Sequence, residues 1–520
     1  MAIVSLMMFV ALLSLAKELE SKERKKQSLH IKTMKKYIII FINALFFSFL
    51  SYSQVKNTIE VTNRINTYLS ELETVGFSGS VLVELNGNKL ISKGYGFRDK
   101  SKELKNKPST IFSTGSITKQ FTAAAILKLE MLGKLSTDDK LSKYFDIVPP
   151  DKSKITIHDL LRHQSGLVSS IMDDYEQISQ KEFIQKVFDS KLRFEAGKQF
   201  SYSNIGYSLL AIIIEKVSGS TYEDYLQKNL FQPANMEFTG YNTPNFIEDN
   251  IAVGYYRDDK IWGKPRHDFA FNEGNRYWNL IGNGGILSTT EDLYRWHKAL
   301  MTDSILTEEA KLKLYHPKIR ANETYNAIYA YGWDVSKTDR NTLRVWHNGT
   351  NNILYADFMR FINEGVTLVM LSNKSHPNFD RLNEELSKII FDKKYKPTIP
   401  IAENETNKNF TENIIRIVLE SGFETAKKEY KNRGNQIDLL ENILNTKGYN
   451  LMSENKVLMA IKIFEMNVFA NPKSANAFDS LGEAYLIKGD KQLAIKYYKK
   501  SLELNPNNGN AKDILNQLKE

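Results

Sequence analysis

GSITKQFTAAAIL, residues Gly115–Leu127, reads as the opening of an apolar helix that carries a serine and, one turn later, a lysine. A helix that only fills a core keeps both polar groups off its buried face. Along an α-helix three residues advance about 4.5 Å and turn about 300°. Ser116 and Lys119 are therefore neighbours, with Cβ atoms roughly 5–6 Å apart. That spacing brings an amine within reach of a hydroxyl.

A serine hydroxyl is a poor nucleophile at neutral pH and needs a base beside it. A lysine serves only if its pKa falls, through desolvation and nearby positive potential. The helix offers both: an apolar stripe (Phe121, Ala125, Leu129, Leu132) to bury one face, and the partial positive charge of its N-terminus. Free N–H groups at that end also suit an oxygen that develops negative charge. Taken alone, S-x-x-K is a weak signal, since serine is a common N-cap and lysine a common exposed helix residue.

The chain around it alternates in texture. GSVLVELNGNKLISKGYGF (Gly79–Phe97) switches apolar and polar residues about Asn86-Gly87, a hairpin signature. Helical patterns follow at Ser201–Gly219 and Thr289–Met301. Strand-like runs come last, at Thr342–Gly349, Ile353–Phe361 and Val366–Asn373, before a helix at Phe379–Phe391. Strands at both ends with helices between predict an α+β domain whose single antiparallel sheet joins distant segments.

Further motifs follow in order: ITIHDLLRHQSGL, RFEAGKQFSYSNIGYSLLAIIIEKVSG, GNGGILSTTEDLYRW and WHNGTNN. With FSTGSITKQFTAAAIL they make residues 60–390 resemble the serine β-lactamase and penicillin-binding-protein superfamily, on its class C and D,D-carboxypeptidase/esterase side. The resemblance implies a β-lactamase/transpeptidase-like fold, an antiparallel sheet with helices plus a helical subdomain. It implies Ser116 as the acylated nucleophile and Lys119 as its partner in proton transfer. Tyr202, in Tyr202-Ser203-Asn204, would shuttle the proton to the leaving group, as a phenol that Lys119 helps to ionise. Asn204 would hydrogen-bond the acyl side of the substrate.

The Lys-Thr-Gly element, usual on an edge strand, is here His347-Asn348-Gly349. Gly349 would let substrate backbone approach, and the N–H groups of Thr350 and Ser116 would form the oxyanion hole. A neutral imidazole holds a carboxylate less firmly than an ammonium does. Small esters or D-amino-acid peptides are therefore expected ahead of β-lactams; a bare strand-end role for His347 stays open. No metal or organic cofactor is implied. Ser165 in HQSGL reads as a structural turn, and no G-x-S-x-G elbow or H-E-x-x-H pair occurs.

Beyond the Pro-containing polar stretch Lys393–Asn409, read as a linker, Ala460, Phe464 and Pro472 recur 34 residues later as Ala494, Tyr498 and Pro506. Ala426 and Tyr430 lie one period upstream. With Phe478, Leu481, Gly482 and Tyr485 this resembles an all-α tetratricopeptide-repeat module over 410–520, its first repeat degenerate, and a module of that kind implies a protein partner.

Composition sets outer limits. An apolar fraction of 42% with 25% charged residues fits a folded, water-soluble chain. Of the net charge of +9, residues 1–53 carry +5, and no Lys/Arg cluster interleaves with aromatics, so nucleic acid is not expected. The absence of cysteine excludes disulfides and thiolate sites. MKKYIIIFINALFFSFLSYSQ, from Met34, has the basic start, short apolar centre and small residues of a secretory signal (34–53), cut before Gln54. Residues 1–33 then read as an upstream extension, with a membrane anchor as the rival. Membrane contact is expected only through this N-terminal segment.

The reading is an exported serine hydrolase domain over 54–392, periplasmic or secreted, acting on a small-molecule or peptide substrate. The alternative is a catalytically silent cell-wall or peptide-binding scaffold whose repeats recruit a partner.

Overall fold

The structure is a computed structural model. It describes Ser14 and residues 58–518 apart from 257–258, 266–274, 317–326, 352, 375–380, 400–404, 433–438 and 507. The signal segment, the cleavage point at Gln54 and all of the upstream extension but Ser14 therefore lie outside the described residues. The chain divides into two compact units between residues 399 and 400.

In the first unit, β1 (Gly79–Leu85) and β2 (Asn88–Tyr95) form the expected hairpin. Its corner holds Asn86 at φ 51° and Gly87 at φ 82°, the positive pair that a tight primed turn requires. The sheet is completed by β3 (Ala327–Tyr329), β4 (Asp334–Lys337), β5 (Leu343–Asn351), β6 (Leu354–Phe361) and β7 (Val366–Ser372). The order is β3-β4-β5-β6-β7-β1-β2, antiparallel at every pairing. Strand β1 joins strand β7 with Val81 opposite Met370 and Leu82 opposite Val369, so the hairpin is fixed by residues almost three hundred positions later.

Alternation along the strands sends side chains to two cores. Val81, Val83, Ile91, Leu368 and Met370 pack with the helix α1 (residues 58–74) and with α5 (Leu382–Phe391). Leu82, Phe358, Val369 and Leu371 face the opposite core, shared with α2 (Thr118–Met131), α3 (Asn204–Ser218) and α4 (Thr290–Leu300). Arg64 of α1 clamps the end of the unit by donating to the carbonyls of Ile389, Asp392 and Tyr395.

Two expectations about α2 change. Ser116 is not on the α-helix itself but in a 3-10 turn, Gly115–Ile117, that feeds it. The helix is also buried on all sides rather than along one stripe: Thr118 to Leu127 are buried throughout, whereas Leu132 is 56% exposed. A helix enclosed on every face needs no amphipathic period. Helix α3 is shorter than Ser201–Gly219, because the Ser203 hydroxyl accepts from the Gly206 N–H as its N-cap and Gly219 ends it at φ 71°.

The second unit is all helix: α6 (Glu405–Ser421), α7 (Phe423–Asn432), α8 (Glu441–Ser453), α9 (Val457–Ala470), α10 (Ala475–Lys488), α11 (Lys491–Leu504) and α12 (Gly509–Gln517). Helix α6 starts at Glu405, inside the stretch read as linker. Its N-terminal turn is polar and Phe410 is the first buried side chain, so the opening of the helix resembles a tether in sequence. Ala426, Ala460 and Ala494 are all fully buried, as their period requires. A second periodic contact accompanies them. Gly448 faces the Phe464 ring and Gly482 faces the Tyr498 ring, each pair one period from the other, while Ile414 stands where a third glycine would fall.

An added Cβ would sit 2.3 Å from Phe464 Cε1 at Gly448 but 3.2 Å from the Tyr498 ring at Gly482. Overpacking costs about 1–3 kcal/mol, and replacing a helical glycine by alanine returns up to about 1 kcal/mol. In urea unfolding of the full chain, Gly448→Ala is expected to destabilise the repeat unit by about 1–2 kcal/mol and Gly482→Ala to be close to neutral. Equal effects would contradict the contact.

Candidate active site

The site is built where strand β5 crosses the Ser116 turn. Strand β5 lies inside the sheet, but pairing with β4 ends at Asp334 opposite Trp346, so from His347 onward this side of β5 outruns its neighbour. The expected edge is thus a local one. Two glycines permit the crossing. A Cβ on Gly349 would stand 2.1 Å from the Thr114 carbonyl oxygen and 2.6 Å from the Ser116 nitrogen. A Cβ on Gly115, which also takes φ +50°, would stand 2.6 Å from the Thr350 nitrogen. Gly349 therefore admits the Ser116 turn on the side where its Cβ would lie, and it also borders the cleft. The crossing also sets the Ser116 and Thr350 nitrogens at one junction.

Lys119 is fully buried, with Nζ 3.0 Å from Ser116 Oγ and donating to the Asn283 carbonyl at 2.7 Å. Burial drives its amine well below the ordinary lysine range, opposed only by the field of Asp174. A neutral amine has one lone pair, and with an N–H committed to Asn283 that pair is available to the Ser116 hydroxyl. The Asn283 carbonyl is itself held in place: the Asn283 side chain donates to Ser208 Oγ and to the Asn279 carbonyl. Tyr241 OH and Thr122 Oγ1 hold the carbonyls of Gly284 and Gly282 on either side.

Tyr202 stands two residues ahead of α3, its ring 4.8 Å from Lys119 Nζ and edge-on to the Tyr329 ring, and it borders the cleft beside Ser116. Burial raises its pKa, so the expectation of a phenolate fostered by Lys119 is corrected. An amine already stripped of its proton exerts no cationic pull. Burial favours the uncharged form of both groups.

His347 is buried and neutral, its pKa held down to about 3 chiefly by burial. Nδ1 faces the Asn348 carbonyl, which can only accept, so Nδ1 carries the proton and Nε2 accepts from Tyr329 OH at 3.0 Å. Both ring nitrogens are thus engaged within the protein. Asn204 is the N-terminal residue of α3; its Oδ1 is buried with no hydrogen-bond partner among the described residues, and it is not part of the cleft wall.

The cleft has a volume of about 350 Å³ and is bordered by Ser116, Phe200, Tyr202, Tyr329, His347 and Gly349 among others. Four further residues shape the site, and the sequence pattern did not single them out. The turn after His163, which has φ 55°, stacks that imidazole on the Tyr202 ring at 4.1 Å, and its Nδ1 accepts from the Ser203 N–H at 3.0 Å. Asn283 anchors the amine, and Tyr329 bonds to His347 while its ring packs edge-on against Tyr202 at 5.8 Å. Asp334, at the start of β4, completes the wall, its pKa raised by burial to about 7. The usable signals were the GNGG run and Gly332, where a Cβ would meet the Lys119 carbonyl at 2.7 Å.

Comparison with known proteins agrees with this architecture. The Beta-lactamase family model matches residues 66–389, and a Tetratricopeptide repeat model matches residues 480–508. Penicillin-binding protein 4* of Bacillus subtilis is 30% identical over 320 residues, covering 58% of this chain and 70% of that protein. Protein flp of Staphylococcus aureus is 26% identical over 355 residues, 65% of this chain and 68% of its own. Among solved structures, the penicillin binding protein from Bacillus halodurans superposes with a TM-score of 0.52 at 26% identity, over 61% of this chain and 97% of that one. With its sheet, its Ser116 turn and a family match across most of the first unit, the chain belongs to the Beta-lactamase family.

Proposed function

We propose that the chain is a serine hydrolase that works through an acyl-enzyme on Ser116. The observation that carries this reading is the neutral Lys119 amine 3.0 Å from Ser116 Oγ, at the border of an open cleft. Lys119 Nζ takes the Ser116 proton as Oγ bonds to the substrate carbonyl carbon. The resulting oxyanion faces the junction of the Ser116 and Thr350 backbone nitrogens. Tyr202 donates its phenolic proton to the departing oxygen or nitrogen and is reprotonated from Lys119. Water then attacks the acyl-serine, its proton leaves along the same relay, and Ser116 recovers its hydroxyl as the acid departs.

The substrate class that this reading favours is a small ester or a D-amino-acid peptide rather than a β-lactam, because the His347 nitrogens are engaged internally and offer no charge to a substrate carboxylate. Export belongs to the same proposal: cleavage before Gln54 would deliver the enzyme to the periplasm or the medium. N-terminal sequencing of secreted protein is expected to begin at Gln54; Met1 or Ala2 would refute it. The repeat unit is proposed to dock an extended peptide of a partner protein.

A fluorophosphonate probe is expected to label the native chain and not Ser116→Ala. Equal labelling of both would remove Ser116 from the reaction and leave the silent scaffold. Tyr202→Phe is expected to lower kcat/KM for a p-nitrophenyl ester by about 10²-fold or more.

Lys119 also ties activity to stability. Its folded pKa lies below its unfolded one, so between the two the unfolded chain binds the extra proton and stability rises with pH. Lys119→Met removes that penalty. It is expected to lower kcat/KM by about 10²–10⁴-fold while adding about 1 kcal/mol of stability near pH 7, a gain that vanishes near the unfolded lysine pKa of about 10.4. A loss of stability at neutral pH would show that the amine is buried as a cation.

A further inference from the structure

Among the described residues, the cleft wall contains one carboxyl group and no Lys or Arg. Asp334 is half-buried there, and among the described residues it makes no side-chain hydrogen bond and no ion pair. Arg344, on the neighbouring strand, acts on Asp334 through its field without a hydrogen bond or ion pair to it; its Nε donates to Ser336 Oγ at 3.1 Å and its guanidinium lies over the Trp346 ring. Lys119 sits behind Ser116 with its amine bonded to Asn283. An unpartnered carboxyl in an aromatic surround is costly to keep, and β4 does not need it, since its inward residue is Val335. The same cleft is lined by Phe200, Tyr202, Tyr329 and Tyr355, with Tyr329 directly opposite Asp334 on the neighbouring strand. Aromatic faces grouped with one carboxylate form a receptor for an organic ammonium, which they attract through the ring quadrupoles and by direct charge pairing.

We infer that Asp334 and the aromatic wall of the cleft select substrates that carry an ammonium group near the scissile carbonyl, and disfavour those that carry a carboxylate there. The inference rests on the acyl-enzyme reading for its chemistry, but the selection itself is a binding property. The ammonium supplies the positive charge that the wall lacks, and the acyl carbon is then presented to Ser116. A substrate carboxylate in the same place meets Asp334 with like charge and finds no compensating donor on His347.

The test uses the full chain and p-nitrophenyl esters that end in an ammonium, a methyl or a carboxylate on the same linker, over graded linker lengths. The ammonium ester is expected to exceed the carboxylate ester in kcat/KM by at least about tenfold at its best length, mainly through KM, with the preference shrinking as salt is added. Asp334→Asn should bring that ratio close to one and Asp334→Glu should keep most of it. A ratio near one in the native chain, or one that survives Asp334→Asn, would overturn the inference. Calorimetric titration with butylammonium and butyrate reads the same selectivity without turnover: butylammonium alone should bind, and binding of both or of neither would count against it. If fluorophosphonate fails to react at Ser116 while butylammonium binds, the acyl-enzyme reading fails and the selection stands.

Discussion

An amine closed off from water governs the first unit. Among the described residues no carboxylate pairs with Lys119: a single carbonyl, a serine oxygen and two phenol rings are its neighbours, and Asp174 acts only at a distance. Burial therefore favours the uncharged amine, and Asn283 holds that amine beside Ser116. The enclosed helix α2, the braced Gly282–Gly284 backbone and the stack of His163 on Tyr202 all serve to keep that amine dry and aimed. The same enclosure explains why Tyr202 retains its proton, since a low-polarity surround disfavours phenolate as strongly as it disfavours ammonium.

A second constraint is steric. The nucleophile's turn and strand β5 touch backbone to backbone, which only a pair of glycines allows. Gly115 and Gly349 are therefore parts of one contact, although the chain separates them widely. With a side chain at either position the Ser116 and Thr350 backbone nitrogens would be forced apart, and their shared junction would be lost.

How much of this was legible in the sequence follows from the range of each interaction. The Ser116–Lys119 pair is local, fixed by helical rise, and so was readable. So were the Asn86-Gly87 corner, whose dihedrals depend on two residues, and the 34-residue period, which repeats a contact between adjacent helices. His163, Asn283, Tyr329 and Asp334 reach the site only through the tertiary path of the chain; the GNGG run marks Asn283 as a tight turn but does not tie it to Lys119. The charge state of Tyr202 was misjudged for a related reason: it depends on burial, and burial depends on everything that packs around the ring. Helix α6 was mistaken for linker in its first turn because solvent-facing helical residues share their composition with tethers.

The order in which the sheet is made along the chain has a kinetic meaning. Strands β1 and β2 are synthesised early, yet their neighbour β7 ends at Ser372, and the wall opposite Ser116 is supplied by β3 to β5. While the ribosome is still working through the intervening helices, the alcohol and the amine already exist but have no cleft and no oxygen-binding junction. In a nascent or prematurely terminated chain the Ser116–Lys119 pair therefore has no enclosing cleft, which is completed only when the last strands dock. Such long-range closure slows folding.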